Sequence, residues 1–231
     1  MKLNYGIIGS GMMGCEHIRN LRRIPNVKVV AIADPNEKSR EQAQKLCGSS
    51  FHPKLYADHK TLLSDENVDV LVVSTPNFTH IEVMRDIFDT DKHVLLEKPM
   101  CTNLADGLEV LDRSKRHKGL VWVGLEYRFM SPIQAMMRHL GEVGEIKMLS
   151  IREHRFPFLK KVGDWNRFNE KTGGTLVEKC CHFFDLMNLM IHSVPVKIYA
   201  SGGQSVNHLD ECYSGKTPDI LDNSFVIVDF E

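Results

Sequence analysis

The sequence predicts an α/β fold, with a doubly wound parallel sheet over residues 1–125 and a second α/β domain with an open, mainly antiparallel sheet over residues 126–231. Three observations predict it. Strand and helix patterns alternate through the first half. The first strand runs straight into the glycine-rich turn Gly9-Ser10-Gly11-Met12-Met13-Gly14. Past residue 125 the alternation gives way to long helices, a charged aromatic loop and widely spaced strands.

Each element follows from its residue pattern. Leu3–Ile8 is an apolar strand, and the helix after it carries Gly14, Ile18 and Leu21 on one face. Val27–Ala33 reads as a strand and Glu37–Leu46 as a polar helix, and a third pass leads to Leu62 and Leu63. Val68–Val73 is apolar on both faces, as a strand covered by helices on each side must be. Ile81, Met84 and Ile87 or Phe88 mark the inward face of the next helix. Strand Val94–Leu96, a helix bearing Leu104, Leu108 and Leu111, and a strand over Val121–Leu125 complete the sheet. The second domain reads as a helix over Ile133–Leu140, a long strand over Glu145–Glu153 and a loop reaching Gly174. One helix over Thr175–Ile191 and strands over Val196–Ala200 and Ser224–Phe230 follow. The sequence stops at Glu231 within a strand pattern, so the second sheet reads as unfinished, the mark of a shortened product, or as covered by another chain.

Composition narrows the partners. With 42% apolar and 26% charged residues and a net charge of -1, the chain is that of an ordinary globular protein, and no nucleic-acid partner is expected. No apolar run approaches the roughly 20 residues of a membrane span, and the start lacks an export signal, so a cytoplasmic protein without a membrane partner is expected. The six cysteines have no paired spacing and read as reduced thiols. Cys180 and Cys181 beside His182 suggest a metal only superficially: neighbouring side chains on a helix diverge, and zinc draws its ligands from several segments. No metal is expected.

Gly9 to Gly14 matches G-x-G-x-x-G, a weak signal alone. Between a strand and a helix it gains weight. Gly9 permits the tight turn, Gly11 lets a pyrophosphate approach the backbone, and Gly14 lets helix pack on strand, with Ser10, Met12 and Met13 completing the cradle. This is the loop of a dinucleotide-binding Rossmann domain. Asp34 lies twenty residues past Gly14 at the end of the second strand, where a carboxylate accepts hydrogen bonds from ribose hydroxyls and repels a 2'-phosphate. NAD is therefore expected over NADP. Arg40, about one helical turn beyond, reads as a solvated surface charge rather than a 2'-phosphate partner.

Ligands of open parallel sheets bind outside the carboxyl ends of the strands. There the central strand runs into Ser74-Thr75-Pro76-Asn77 and on to His80, and the next strand into Glu97-Lys98-Pro99. Lys98 facing a cleft can exchange a proton as hydride moves, although its position alone equally allows a lysine in a surface turn. In the second domain, Glu178, His182 and Asp185 fall on one stripe of the helix expected over Thr175–Ile191. A histidine flanked by carboxylates suits a proton shuttle; the alternative is a partly buried histidine in a structural network.

Together the loop Gly9 to Gly14, the segment Thr75-Pro76-Asn77 with His80, the signature Glu97-Lys98-Pro99, the stretch Val123 to Phe129 and the glycine-led helix ending in His182 and Asp185 resemble the Gfo/Idh/MocA family of glucose-fructose oxidoreductase and inositol dehydrogenase. The resemblance implies an NAD(P)-dependent oxidoreductase acting on a secondary alcohol of a sugar, cyclitol or related polyol, and a dimer or tetramer assembled through the second sheet. It implies that Lys98 and His182 flank the reacting carbinol, with Glu178 where the family usually carries an aspartate, and that Trp165, Arg128 and Arg167 line the sugar pocket, plain packing being an equally good reading of Trp165. Glu126 stands where many relatives carry asparagine. Members usually continue past residue 231, so a non-catalytic dinucleotide-binding regulator, or an inactive shortened member, is the second reading.

Overall fold

The computed structural model describes residues 2–231, in two compact units that meet at Gly124 and Leu125. The first unit runs β1 (Leu3–Ile8), α1 (Met12–Leu21), β2 (Val27–Ala33), α2 (Glu37–Cys47), β3 (Lys54–Tyr56), α3 (His59–Leu63), β4 (Val70–Val73), α4 (His80–Ile87), β5 (His93–Leu96), α5 (Leu104–Ser114) and β6 (Val121–Val123). The strands form one parallel sheet in the order β3-β2-β1-β4-β5-β6. The winding reverses between β1 and β4, which opens a crevice at their carboxyl ends.

Alternation along each strand builds a core on both faces. Ile7, Ile32 and Val72 pack with Ile18 and Leu21 of α1 on one side. Ile8, Leu71, Val73 and Leu96 pack with Ile81, Met84 and Ile87 of α4 on the other. Side-chain caps start three helices: Asn36 accepts from Ser39 N–H, Asp58 from Thr61 N–H and Asn103 from Asp106 N–H, each contributing about 1 kcal/mol. The leucines of α5 do not mark its buried face. Leu104, Leu108 and Leu111 are exposed, and Val110 is the residue that enters the core. β4 begins at Val70, but Val68 is buried all the same.

The second unit contains a 3-10 turn (Glu126–Phe129), α6 (Ser131–Val143), α7 (Asn169–Thr172), α8 (Thr175–Glu178), α9 (Cys181–Ile191), and an antiparallel pair of β7 (Pro195–Gly203) with β8 (Asn223–Phe230). Two expectations fail here. The strand expected over Glu145–Glu153 is absent: its apolar residues fit a strand, but the segment pairs with neither β7 nor β8, and without ladder hydrogen bonds the pattern alone makes no strand. The single helix expected over Thr175–Ile191 is broken at Lys179 and Cys180, where Cys180 N–H reaches back five residues to the Thr175 carbonyl. That wide turn, with Thr175 Oγ1 held by the Leu221 carbonyl, re-aims α9 relative to Glu178. Glu178, His182 and Asp185 therefore do not share one helical stripe. Among the described residues no helix is long and apolar enough to cross a membrane.

Candidate functional site

In the first unit the candidate residues gather at the carboxyl edge of the parallel sheet. Gly9 has φ +88°, and a Cβ there would come within 2.7 Å of Ser74 and Thr75 backbone. A Cβ on Gly14 would stand 2.1 Å from the Gly9 carbonyl oxygen, so only glycine lets α1 close on β1. Gly11 is the reverse case: a Cβ would meet nothing within 4 Å, and no described side chain caps α1. The open space and the first-turn N–H groups of α1 suit a pyrophosphate. Beside the loop a cavity of about 230 Å³ is lined by Gly9, Asp34, Pro35, Ala57 and Thr75, room for an adenosine end.

Asp34 is built into this edge. Its Oδ2 accepts Ser10 N–H at 2.7 Å and its Oδ1 accepts Asn36 N–H at 2.8 Å, which fixes the carboxylate at the end of β2. Arg40 is not the solvated charge its spacing suggested: half-buried, it donates through Nη1 to the Asp34 carbonyl at 2.5 Å. Ser74 Oγ donates to the Gly9 carbonyl at 2.7 Å and joins β4 to the loop. Thr75 and Pro76 are half-buried beside it, and buried Asn77 presents an Nδ2 with no acceptor among the described residues.

His80 and Glu97, expected at this edge, are both buried. His80 is fully buried, with Nδ1 2.9 Å from the Pro99 carbonyl and Nε2 3.1 Å from the Thr75 carbonyl, so it braces the loops after β4 and β5. Burial pushes its pKa down. The Glu97 carboxylate is also buried, with Oε1 2.6 Å from His17 Nε2. Lys98 follows it, half-buried.

In the second unit α9 buries His182. Tyr127 stacks on its ring, with centroids 4.1 Å apart, and Glu126 Oε1 lies 3.5 Å from its Nε2. Lys179 Nζ donates to the Tyr127 hydroxyl and lies 3.3 Å from Glu153. Buried Glu178 has Lys161 Nζ 3.6 Å from Oε1, and Lys161 in turn sits 4.5 Å over the Trp165 ring. Of the expected pocket residues, Arg128 and Asp185 bind one another through two hydrogen bonds, and Arg167 is sealed inside with Nε on Glu211 at 2.7 Å. Both pairs fix their guanidinium groups, yet Arg128 stays partly exposed and the buried Arg167 Nη1 meets no acceptor among the described residues, so each keeps donors that its carboxylate does not use. Among the described residues no group of three or more His, Cys, Asp or Glu is placed to hold a metal.

Tyr127, Lys179, Lys161 and His17 were not singled out from the sequence. A stacking tyrosine and a lysine facing it across 52 residues leave no local periodicity to read.

Comparison with known proteins decides the lineage. The model of the oxidoreductase family's NAD-binding Rossmann fold matches residues 3–125, and that of its C-terminal alpha/beta domain matches residues 139–231. The chain belongs to the Gfo/Idh/MocA oxidoreductase family. This member is 28% identical to myo-inositol 2-dehydrogenase of Thermotoga maritima over 99% of its length and 65% of that protein. It is 25% identical to 2,7-anhydro-N-acetylneuraminate hydratase of Escherichia coli over 87% of its length and 53% of that protein. Its fold superimposes with TM-score 0.78 and 21% identity on myo-inositol dehydrogenase of Lactobacillus casei, solved with NAD(H) and myo-inositol, covering 100% of this chain and 65% of that one. The Gfo/Idh/MocA chain described here thus spans just over half to two thirds of the length of these relatives. Its first unit is the family's NAD-binding domain.

Proposed function

We propose that this family member oxidises a secondary alcohol of a sugar, cyclitol or related polyol with NAD, or runs the reverse reduction. The observation that carries this reading is the carboxyl edge of one sheet, which presents the phosphate cradle after β1 and Lys98 after β5. The two strands are separated by β4 alone, so the cradle and Lys98 stand on the order of 10 Å apart, within the reach of one extended dinucleotide. The bound cofactor supplies a nicotinamide C4 that takes the hydride. In this reading Lys98 donates a hydrogen bond to the substrate oxygen and stabilises its developing charge. His182 accepts the hydroxyl proton, and Glu178 orients the substrate or the base. The Thermotoga relative, named for myo-inositol, supports the cyclitol class. Tyr199, Phe225 and Ile227, exposed on one face of the β7–β8 pair, support assembly of a homo-oligomer through that sheet in a cytoplasmic protein.

One relative is named as a hydratase, so reduction of NAD must be read directly. Purified protein incubated with NAD and a panel of cyclitols and sugars is expected to generate NADH absorbance with at least one of them. Lys98→Met is expected to lower that rate by about 10²–10⁴-fold while NADH still binds. Near-normal turnover by this variant would remove Lys98 from the chemistry.

A further inference from the structure

His17 belongs to none of the groups described above as touching cofactor or substrate, yet it sits where the two functions of the first unit meet. It lies one turn beyond Gly14 on α1, the helix whose N-terminus forms the phosphate cradle, and it turns toward the end of β5. Its Nε2 is 2.6 Å from Glu97 Oε1, with the two side chains 20% and 10% exposed. The other Glu97 oxygen, Oε2, accepts the backbone N–H of Lys98 at 3.2 Å. A Cβ on Gly124 would come within 3.7 Å of the Glu97 carboxyl carbon, so the end of β6 closes over it. A carboxylate buried this far must be met by donors or take up a proton. Burial pushes the Glu97 pKa up, but the His17 hydrogen bond and charge, then the Lys98 charge and backbone N–H, bring it below the ordinary glutamate value.

We propose that His17 is a positioning residue: through Glu97 it fixes the backbone at Lys98 and keeps a negative charge beside the Lys98 ammonium. The inference rests on the reading of Lys98 as the group that meets the substrate oxygen. It follows from valence. Oε1 needs an N–H, and either the cation or the Nε2–H tautomer of His17 supplies one. Without it the carboxylate is left buried with one weak backbone donor, proton uptake by Glu97 becomes easier, and the negative charge it places beside Lys98 is weakened.

The test uses the full chain with NADH bound and compares wild type, His17→Leu, His17→Gln and Glu97→Gln. Competitive acetylation with acetic anhydride, read by mass spectrometry, reports the reactivity of Lys98 against the exposed Lys60 and Lys118. Lys98 is expected to be acetylated about threefold faster in His17→Leu and in Glu97→Gln, the change made by losing ~0.7 kcal/mol of charge stabilisation. His17→Gln keeps an N–H at that point and is expected to return to within about 1.5-fold of wild type. NADH affinity, followed by nicotinamide fluorescence, is expected to stay within about threefold throughout. Equal labelling of Lys98 in all four proteins overturns the proposal. So does a glutamine variant that behaves like leucine, or an affinity loss as large as the labelling change. If His17→Leu does not fold, Glu97→Gln against His17→Gln decides the question. Turnover is read separately. A wild type that reduces NAD with no polyol refutes the dehydrogenase reading and leaves the labelling to decide on His17; where turnover is present, His17→Leu is expected to lower kcat with KM unchanged and His17→Gln to restore it.

Discussion

The ring of Tyr127 lies flat on the imidazole of His182, 4.1 Å away between centroids and 7° from parallel. Tyr127 and Glu126 are neighbours in one 3-10 turn, so that turn sets both the plane of the histidine and the charge near its Nε2. Lys179 holds the tyrosine in turn, with Nζ on its hydroxyl and 4.7 Å from its ring centroid.

Removing the stack should release the imidazole. Tyr127→Ala is expected to lower kcat by about 3–10-fold, the loss of ~0.5–1.5 kcal/mol of ring contact, with NADH affinity unchanged. Tyr127→Phe keeps the ring and gives up the Lys179 bond, so its kcat is expected to fall less than that of the alanine variant. Steady-state kinetics on the best polyol substrate compares the two; equal losses would assign the effect to the hydroxyl instead of the stack.

The phosphate cradle tolerates no side chain at its third glycine. Gly14→Ala places a Cβ 2.1 Å from the Gly9 carbonyl oxygen and forces α1 away from β1, at a cost of about 1–3 kcal/mol. Its Tm is expected to drop and its NADH affinity to fall at least about tenfold. Gly11→Ala has open space at the backbone level, and its Tm is expected to remain near that of wild type, with the loss confined to cofactor binding. Thermal melts and fluorescence titrations of both variants check this contrast.

An acid-sensitive strut lies in the second unit. Glu211 accepts from the buried Arg167, from Tyr213 and from His208, and its pKa is lowered to about 2 from the usual 4.5. Burial alone works the other way, and the His208, Arg167 and Tyr213 hydrogen bonds overcome it. Because the folded value lies below the unfolded one, this stabilisation is fully present above pH 4.5 and is lost as the pH falls toward 2. Glu211→Ala leaves the Arg167 charge buried without that partner, and is expected to destabilise by about 3 kcal/mol near neutral pH. Calorimetric Tm values should differ by about 6–12 °C at pH 7, with the gap narrowing steadily as the pH falls from 4.5 toward 2. A Tm difference that does not change with pH would contradict the ionic account.

The first unit was legible because each of its signals is local. β1, the glycine turn, α1 and Asp34 lie within 34 residues, and each glycine acts through its immediate backbone neighbours. What was missed depends on distant partners. The pattern over Glu145–Glu153 looks the same whether or not the segment pairs with another strand, and the leucines of α5 keep helical spacing while facing outward. The break at Lys179 and Cys180 arises where Thr175 is anchored to Leu221, 46 residues away, and helix propensity carries no trace of it. Lys98 and His182 were visible as residue types in telling places. Their supports, His17 through Glu97 and Tyr127 through Lys179, come from contacts across 80 and 52 residues that spacing cannot reveal.

The central claim is that the carboxyl edge of the parallel sheet holds NAD, with its pyrophosphate over Gly9, Gly11 and Gly14 and its ribose at Asp34. Titrating the purified chain with NADH and, separately, NADPH while following nicotinamide fluorescence tests it most directly. The account predicts saturable NADH binding at least about tenfold tighter than NADPH binding, a difference of ~1.4 kcal/mol set by the Asp34 carboxylate against a 2'-phosphate. Failure to bind either nucleotide, or tighter binding of NADPH, would contradict it.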